Sequence, residues 1–423
     1  MRLIIPILFY RRGGVEQVII SLISHLVKYT EQIVIVLPQN DIEYFKKLLP
    51  DTNAIIYEPV RKNLNFFESK LDGISRRLNS ILEVFRFIPG SISLKSIITE
   101  RYKFEYRLNE LIKKYNSTHC LYLLINRVPS PKLKIPLFGL IYDIFWHFSP
   151  LTYSSEYIEQ YDRKLLDWLE EASIIFAISD KTRSDVLKLF PQFENKLKSV
   201  PLAGFIDEEE IDEKRDLKSE ETVTFYFPSS FGIYKDHLTL FKAVVKLAQE
   251  GYKFKVILTG NQTDTLISGE FSLKQQKGTQ EYEKYLEECV KLHTKYKHIL
   301  QRYITGLGYC TSSTVKDLYK SCNCVVIPSQ YEGFGLAISE AIMQGLPVIA
   351  SDIDVFKEQV SLYQCSDRVD FFKVGNSDDL SIYMKQFIEN PKDRIPRHEI
   401  RQRFYHWTWD DIAKSYVQHL SLG

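Results

Sequence analysis

The sequence predicts an α/β protein made of two doubly wound parallel domains facing each other across a cleft. Three observations carry this. Apolar strand-like runs alternate with helical periodicity from the first residues, and a Gly13-Gly14 turn separates the first strand from the first helix. A second alternating series begins at Val223. Between the two series lies a highly charged, apolar-poor stretch, Asp207 to Glu221, whose composition marks a domain boundary. A chain of 423 residues has room for two or three domains at about 100–200 residues each. Both halves therefore read as Rossmann-like, with residues 1–205 forming the first domain and 206–403 the second.

The first series runs as follows. Leu3 to Phe9 reads as a buried strand. Arg11 and Arg12 interrupt this apolar start too early for a signal peptide, and no small-residue cleavage site follows. Val15 to Lys28 has helical spacing, with Val18, Ile19, Leu22, Ile23 and Leu26 on one face. Ile33 to Leu37 is the next strand. Residues 60–115 combine apolar positions at helical intervals with interleaved basic residues such as Lys70, Arg76 and Arg77. This is either an amphipathic helix with a solvated basic face, or a surface for a membrane or an anionic lipid-linked substrate. Cys120 to Leu124, Pro136 to Tyr142 and Ile174 to Ile178 read as strands, and Tyr157 to Glu171 as a helix. Ser179 or Asp180 caps a further helix, Lys181 to Phe190.

In the second series, Val223 to Pro228, Phe254 to Leu258, Ile304 to Gly308, Cys324 to Ile327 and Val348 to Ser351 read as strands. Helices are expected at 236–249, 281–296, 312–321 and 335–344. Residues 262–280 are rich in Gln, Ser, Thr and Gly and read as a loop. Asp352-Ile353-Asp354 reads as a helix-entry turn, and His406-Trp407-Thr408-Trp409 opens a last helix, Asp410 to Leu420.

Composition excludes several classes. Lys+Arg is 55 and Asp+Glu is 54, a balance that argues against nucleic acid as the main partner. Six cysteines are too sparse for a disulfide scaffold, and no Cys/His spacing reads as a zinc site. Cys322 and Cys324 read as structural thiols. No stretch reaches the roughly 18–20 apolar residues of a membrane span. A cytoplasmic protein is expected, with peripheral contact at the inner face of the membrane if the basic stretch 60–115 serves that purpose.

The densest chemical signal is the run Pro328-Ser329-Gln330-Tyr331-Glu332-Gly333-Phe334-Gly335-Leu336, which leads on to Glu340. It joins a buried strand to a helix. Gly333 and Gly335 allow a tight turn and close approach to a ligand. The helix that follows offers unpaired N–H groups to an anion. Glu332 and Glu340 can accept hydrogen bonds from paired sugar hydroxyls, one from a ribose and one from a transferred sugar, with a diphosphate between them.

This segment resembles the signature of retaining glycosyltransferases of the GT-B fold, family four (glycosyl transferases group 1). That signature sets two glutamates eight positions apart around a Gly-Phe-Gly loop. Gly13-Gly14-Val15-Glu16 looks like the family's glycine turn. Phe176-Ala177-Ile178-Ser179 looks like its serine-ending strand. Thr259-Gly260 and Leu307-Gly308-Tyr309 look like its nucleotide-side turns. The resemblance implies that Glu340 binds the donor ribose and Glu332 holds hydroxyls of the transferred sugar. It implies that Lys235 neutralises the leaving diphosphate, and that Gly13 and Gly14 approach it from the other domain. Backbone groups of Gly333, Phe334, Gly335 and Leu336 would meet the sugar or its phosphate, with Gly260 and Gly308 on the nucleotide side. The final helix, 404–423, would cross back to the first domain and make the pair a hinged clamp.

Two departures stand out. Tyr142-Asp143 replaces the family's His-Asp, so Tyr142 is left to donate a hydrogen bond. Asp143 either orients the acceptor or sugar, or caps a turn. The loop before Lys235 carries Ser229 and Ser230 where many members have an arginine. Ser230 can bond a phosphate oxygen but brings no charge.

The expected activity is transfer of a hexose from a nucleotide-sugar donor, such as a UDP- or GDP-hexose, to a sugar or lipid-linked glycan acceptor. The resemblance implies retention of anomeric configuration with neither metal ion nor cofactor. The alternatives are a catalytically silent sugar-binding or scaffold protein of the same fold, and a sugar-nucleotide epimerase.

Overall fold

The computed structural model describes residues 1–8, 13–60, 104–126, 128–148, 153–205, 222–268 and 280–422. The expectations for Phe9 to Arg12, for most of the basic stretch (61–103), for the charged junction (206–221) and for residues 269–279 lie outside these.

Two wholly parallel sheets form the frame. Seven strands lie in the order β3-β2-β1-β4-β5-β6-β7. They are β1 (Arg2–Pro6), β2 (Gln32–Leu37), β3 (Ile55–Pro59), β4 (His119–Tyr122), β5 (Leu137–Ile141), β6 (Ile174–Ala177) and β7 (Leu197–Ser199). Six more lie in the order β10-β9-β8-β11-β12-β13. They are β8 (Thr224–Pro228), β9 (Lys255–Thr259), β10 (Ile304–Gly306), β11 (Cys324–Ile327), β12 (Val348–Ser351) and β13 (Val369–Phe372). Parallel strands covered by helices on both faces need apolar residues on both faces. Ile33 to Leu37 meets this need with five consecutive fully buried residues.

Helices Gly14–Leu26 and Trp409–Leu420 pack together on one face of the first sheet. The first buries Val18, Ile19, Leu22, Ile23 and Leu26, the face read from its periodicity, and Glu16 as well. The last starts at a capping box between Thr408 and Asp411. Tyr416 stacks on Phe176 of β6 at 4.0 Å, and Tyr29 donates to Asp410 at 2.7 Å. The C-terminal helix thus seats on the N-terminal sheet. Ser179 is the cap of helix Asp180–Leu189, its hydroxyl accepting from the N–H of Thr182.

Three readings change. Helix Thr263–Ser268 occupies part of the stretch read as a loop. It forms because the Thr263 hydroxyl bridges two turns, donating to Gly260 O and accepting from Gly308 N. Helix Gln280–Tyr303 runs past Tyr296, where the periodic pattern ends, through a kink at that residue (φ −121°, ψ 26°). The chain beyond β12 holds helix Asp354–Tyr363, which starts at the expected entry turn, and then β13 and helix Ser377–Glu389, elements left unassigned in the sequence.

In each sheet the strand order reverses once, between β1 and β4 and between β8 and β11. A crevice at the carboxyl ends of the strands opens at such a switch point. The Gly13-Gly14 turn follows β1 after an undescribed stretch. The Ser229-to-Lys235 loop follows β8, and the Pro328-to-Gly335 loop follows β11.

Candidate functional site

The site is built where these loops meet. After β8 the chain makes a short turn, Ile233–Lys235, and Asp236 adopts a left-handed conformation (φ 52°). The Asp236 side chain caps helix His237–Gln249 and accepts from Gln330 Nε2 at 2.9 Å, which ties the β8 loop to the β11 loop. That tie places Lys235 Nζ 2.5 Å from Glu332 Oε1. Ser329 Oγ donates to the same oxygen at 2.9 Å. The two charges are 20% and 13% exposed. Burial pulls the Lys235 ammonium down, but the charge and hydrogen bond of Glu332, with Tyr234 and Asp143, together outweigh it, and the lysine titrates above its usual range. Asp143, across the cleft, adds to the same field. The three expected catalytic residues thus share one electrostatic centre. Asp143 also accepts from the N–H of Phe145 at 3.4 Å, the contact of the turn-capping reading.

Glu340 lies on helix Leu336–Met343. Its Oε2 accepts the hydroxyl of Tyr319 at 2.6 Å. Burial raises its carboxyl and the Tyr319 O–H draws it partly back, leaving it above the usual glutamate range. Gly335 (φ 83°) begins this helix without a side-chain cap, and a Cβ there would stand 2.4 Å from Phe356. From the other sheet, a Cβ on Gly14 would come within 3.2 Å of Leu336, whereas one on Gly13 would meet open space. The glycine turn and the helix start therefore face each other.

The turns expected on the nucleotide side also converge. Gly260 (φ 119°) donates its N–H to Gly308 O at 2.7 Å, and a Cβ on it would lie 2.3 Å from Ser230 N. Ser230 Oγ accepts from Asn261 N at 3.0 Å. Ser230, Gly260 and Gly308 thus line one edge.

Two of the residues expected at the site turn their side chains into the core. Phe334 is 2% exposed and joins the apolar cluster of the first sheet, beside Phe176, Trp409 and Tyr416. Its ring plugs one domain into the other, so only its backbone is available to a ligand. Tyr142 is buried in that same cluster, and its hydroxyl finds no hydrogen-bond partner among the described residues. It does not stand in for the family histidine, because its ring turns into the core. Gly333 is required by this junction. A Cβ there would lie 2.0 Å from the carbonyl oxygen of Tyr142.

Around Gly333 the junction is sealed by hydrogen bonds. Ser179 Oγ and Thr182 Oγ1 both donate to Gly333 O, at 2.6 and 3.0 Å. Glu358 accepts the N–H groups of Asp180 and Lys181, at 2.8 and 3.0 Å. A cleft of about 290 Å³ opens beside it, lined by Lys181, Gln330, Tyr331, Glu332, Ile353, Asp354 and Val355. Asp354 begins a helix, as its turn predicted. Among the described residues no cluster of His, Cys, Asp or Glu is arranged to hold a metal ion, and no helix is long and apolar enough to cross a membrane.

Residues 207–407 match the profile of the family "Glycosyl transferases group 1". The chain carries a glycosyl transferases group 1 domain. Its whole fold is similar to solved GT-B glycosyltransferases, with Glu332 and Glu340 in the group 1 part. The Anabaena HepE structure, in complex with UDP and glucose, covers 100% of both chains with a TM-score of 0.62 at 15% identity. Sucrose-phosphate synthase of Thermosynechococcus elongatus also covers 100% of both, with a TM-score of 0.64 at 14% identity. By sequence, an uncharacterized glycosyltransferase of Methanocaldococcus jannaschii is 25% identical over 282 residues, 64% of this chain and 63% of that protein. The O-antigen chain mannosyltransferase B of Escherichia coli is 24% identical over 219 residues, 52% of this chain and 54% of that protein. The matched part thus spans less than two thirds of either relative.

Proposed function

We propose that this protein is a retaining glycosyltransferase that moves a hexose from a nucleoside diphosphate donor to a hydroxyl of a sugar or lipid-linked glycan. One observation carries the reading. Lys235 and Glu332 are paired at the mouth of the β8/β11 switch point, and Glu340 stands on the helix that follows. In this reading Glu340 takes the donor ribose and Glu332 the hydroxyls of the hexose. The N–H groups at Gly335 and Leu336 and the Lys235 ammonium meet the diphosphate. Gly13 and Gly14 leave room for it from the other sheet.

As the bond from the sugar C1 to the phosphate oxygen breaks, negative charge grows on the diphosphate. A fixed cation there lowers the barrier. The acceptor oxygen bonds to C1 on the face the phosphate leaves, and its proton passes to the departing phosphate oxygen. No carboxylate nucleophile is needed in this scheme, which separates it from retaining hydrolysis. The Lys235–Glu332 ion pair supports it by holding the ammonium charged and in place.

The name of one relative supports a glycan acceptor, since it is an O-antigen chain mannosyltransferase. The burial of Tyr142 favours a second reading, a binding protein without turnover, because it removes a side chain from the donor face. Incubation with UDP-glucose, GDP-mannose and other nucleotide sugars, with nucleoside diphosphate release measured, decides between them. Release that is lost in Glu332→Ala and Lys235→Ala supports the enzyme. Binding of a nucleotide sugar without release, across a panel of glycan acceptors, overturns it in favour of the silent protein. Epimerised donor formed without any acceptor overturns it as well.

A further inference from the structure

Tyr319 and Glu340 come from two helices that are joined through their side chains. Tyr319 belongs to helix Ser312–Ser321 and is buried. Its hydroxyl bond to Glu340 spans 2.6 Å. The phenol is held on several sides. Tyr226 of β8 meets its ring edge-on, at 5.1 Å between centroids and 83° between planes. The Tyr226 hydroxyl is in turn anchored to Thr259 Oγ1 of β9 at 2.8 Å. Arg394 pins the end of the Tyr319 helix, donating to the carbonyls of Tyr319, Lys320 and Cys322 at 2.6, 3.0 and 3.3 Å. A rigid line therefore runs from β9 through β8 to the glutamate.

A glutamate side chain has several rotors, and a ligand that must freeze them binds less well. A hydrogen bond to a carboxylate is short and strong, and it fixes orientation. Here it occupies Oε2 and leaves Oε1 to a ligand. It also opposes the upward push that burial gives the Glu340 carboxyl.

We infer that Tyr319 is a positioning residue that holds Glu340 for a ribose hydroxyl, so that the site tells ribonucleoside from 2′-deoxyribonucleoside diphosphates. This rests on the donor-site reading above. A site built around a hydroxyl penalises the analogue lacking it, because the buried acceptor is then left unpaired.

The test is calorimetric titration of the full chain with UDP, GDP and ADP and with their 2′-deoxy counterparts. Tyr319→Phe keeps the ring and its packing on Tyr226 while removing the hydroxyl. Wild type is expected to bind one ribonucleotide about tenfold tighter than its deoxy form, and Tyr319→Phe to reduce that ratio to about threefold or less. The affinity of Tyr319→Phe for the deoxy form should stay near the wild-type value, which a general loss of structure would not allow. A second variant guards against misfolding. Difluorotyrosine at position 319 is a stronger donor of similar size, and it should raise the ratio. A ratio unchanged in both variants overturns the role of Tyr319. A wild type that binds ribo and deoxy forms alike also overturns it. If none of the three nucleotides binds wild type, the donor-site reading itself falls, and this inference with it.

Discussion

The carbonyl oxygen of Tyr142 lies 2.0 Å from where a Cβ on Gly333 would stand. Both partners are backbone, so neither can swing away. Gly333→Ala must push the β11 loop off the first sheet, breaking the Ser179 and Thr182 bonds to Gly333 O. Overpacking of this kind costs about 1–3 kcal/mol. The expected result is a lower thermal midpoint with sugar transfer reduced by about tenfold or more, since a small misplacement of catalytic groups is costly. Transfer and melting measured on Gly333→Ala check this. A variant with wild-type values for both would show that the two domains do not meet as described.

Lys235 and Glu332 share one short ion pair with little exposure. Removing one partner leaves the other charge in a poor solvent. Lys235→Met should destabilise the fold by roughly 2 kcal/mol, under the range for fully buried pairs because both ends keep some exposure. The lysine titrates above its ordinary value in the folded state. Its stabilisation is therefore fully present below the unfolded-state pKa, about 10.4, and is lost as pH rises through the higher folded value. Denaturant unfolding of wild type and Lys235→Met should differ by a constant amount through neutral pH and converge above about pH 10.5. Curves that stay parallel at higher pH would assign the pair's stability to another group.

Much of this site could be read before any coordinates, and the reasons differ by residue. Glu332 and Glu340 show by their spacing, one in a loop and one on the helix that follows. Lys235 shows as a cation at the start of a helix. The strands show as apolar runs because parallel sheets bury both faces. The burial of the Phe334 ring was not legible, because a residue in a turn carries no mark of what it packs against, and its cluster neighbours Phe176 and Tyr416 lie far away in sequence. The burial of Tyr142 was hidden for the same reason, since its cluster draws in Trp409 and Tyr416 of the C-terminal helix. Tyr319 left no trace because one aromatic on a helix face reads as core, and its partner Glu340 is 21 residues on.

Glu340 is charged at a cost to the fold. Burial raises its carboxyl above the ordinary range, so the protonated form is favoured on folding. A raised folded-state pKa gives a contribution that is present below the unfolded value, about 4.3, and lost as pH rises through the folded one. At neutral pH the neutral isostere removes that cost. Glu340→Gln should stabilise the apo protein by roughly 0.5–1 kcal/mol while weakening nucleotide binding. The gain should shrink as pH falls through the mildly acidic range and Glu340 takes up its proton. Melting of both proteins at pH 7 and pH 4.5, with nucleotide titration at pH 7, checks this. A Glu340→Gln variant less stable than wild type at neutral pH would mean that the carboxylate is well solvated.

Phe334 carries the most direct test of how the two domains depend on each other. Its ring leaves the group 1 domain and fills the core of the other sheet, at 2% exposure. Gln359 Nε2 donates to the Phe334 carbonyl and holds the loop from behind. Truncating a buried phenylalanine to alanine typically costs about 3–5 kcal/mol. Here the loss falls on the junction rather than on either sheet's own hydrogen bonds. Phe334→Ala should therefore uncouple unfolding, so that one calorimetric transition splits into two, each domain melting by itself. Nucleotide binding, whose proposed groups lie mainly on the group 1 domain, should weaken by less than the proposed transfer, which needs both domains closed. A single transition at the wild-type temperature would mean that the plug contributes nothing to the coupling, and that the C-terminal helix alone joins the two halves.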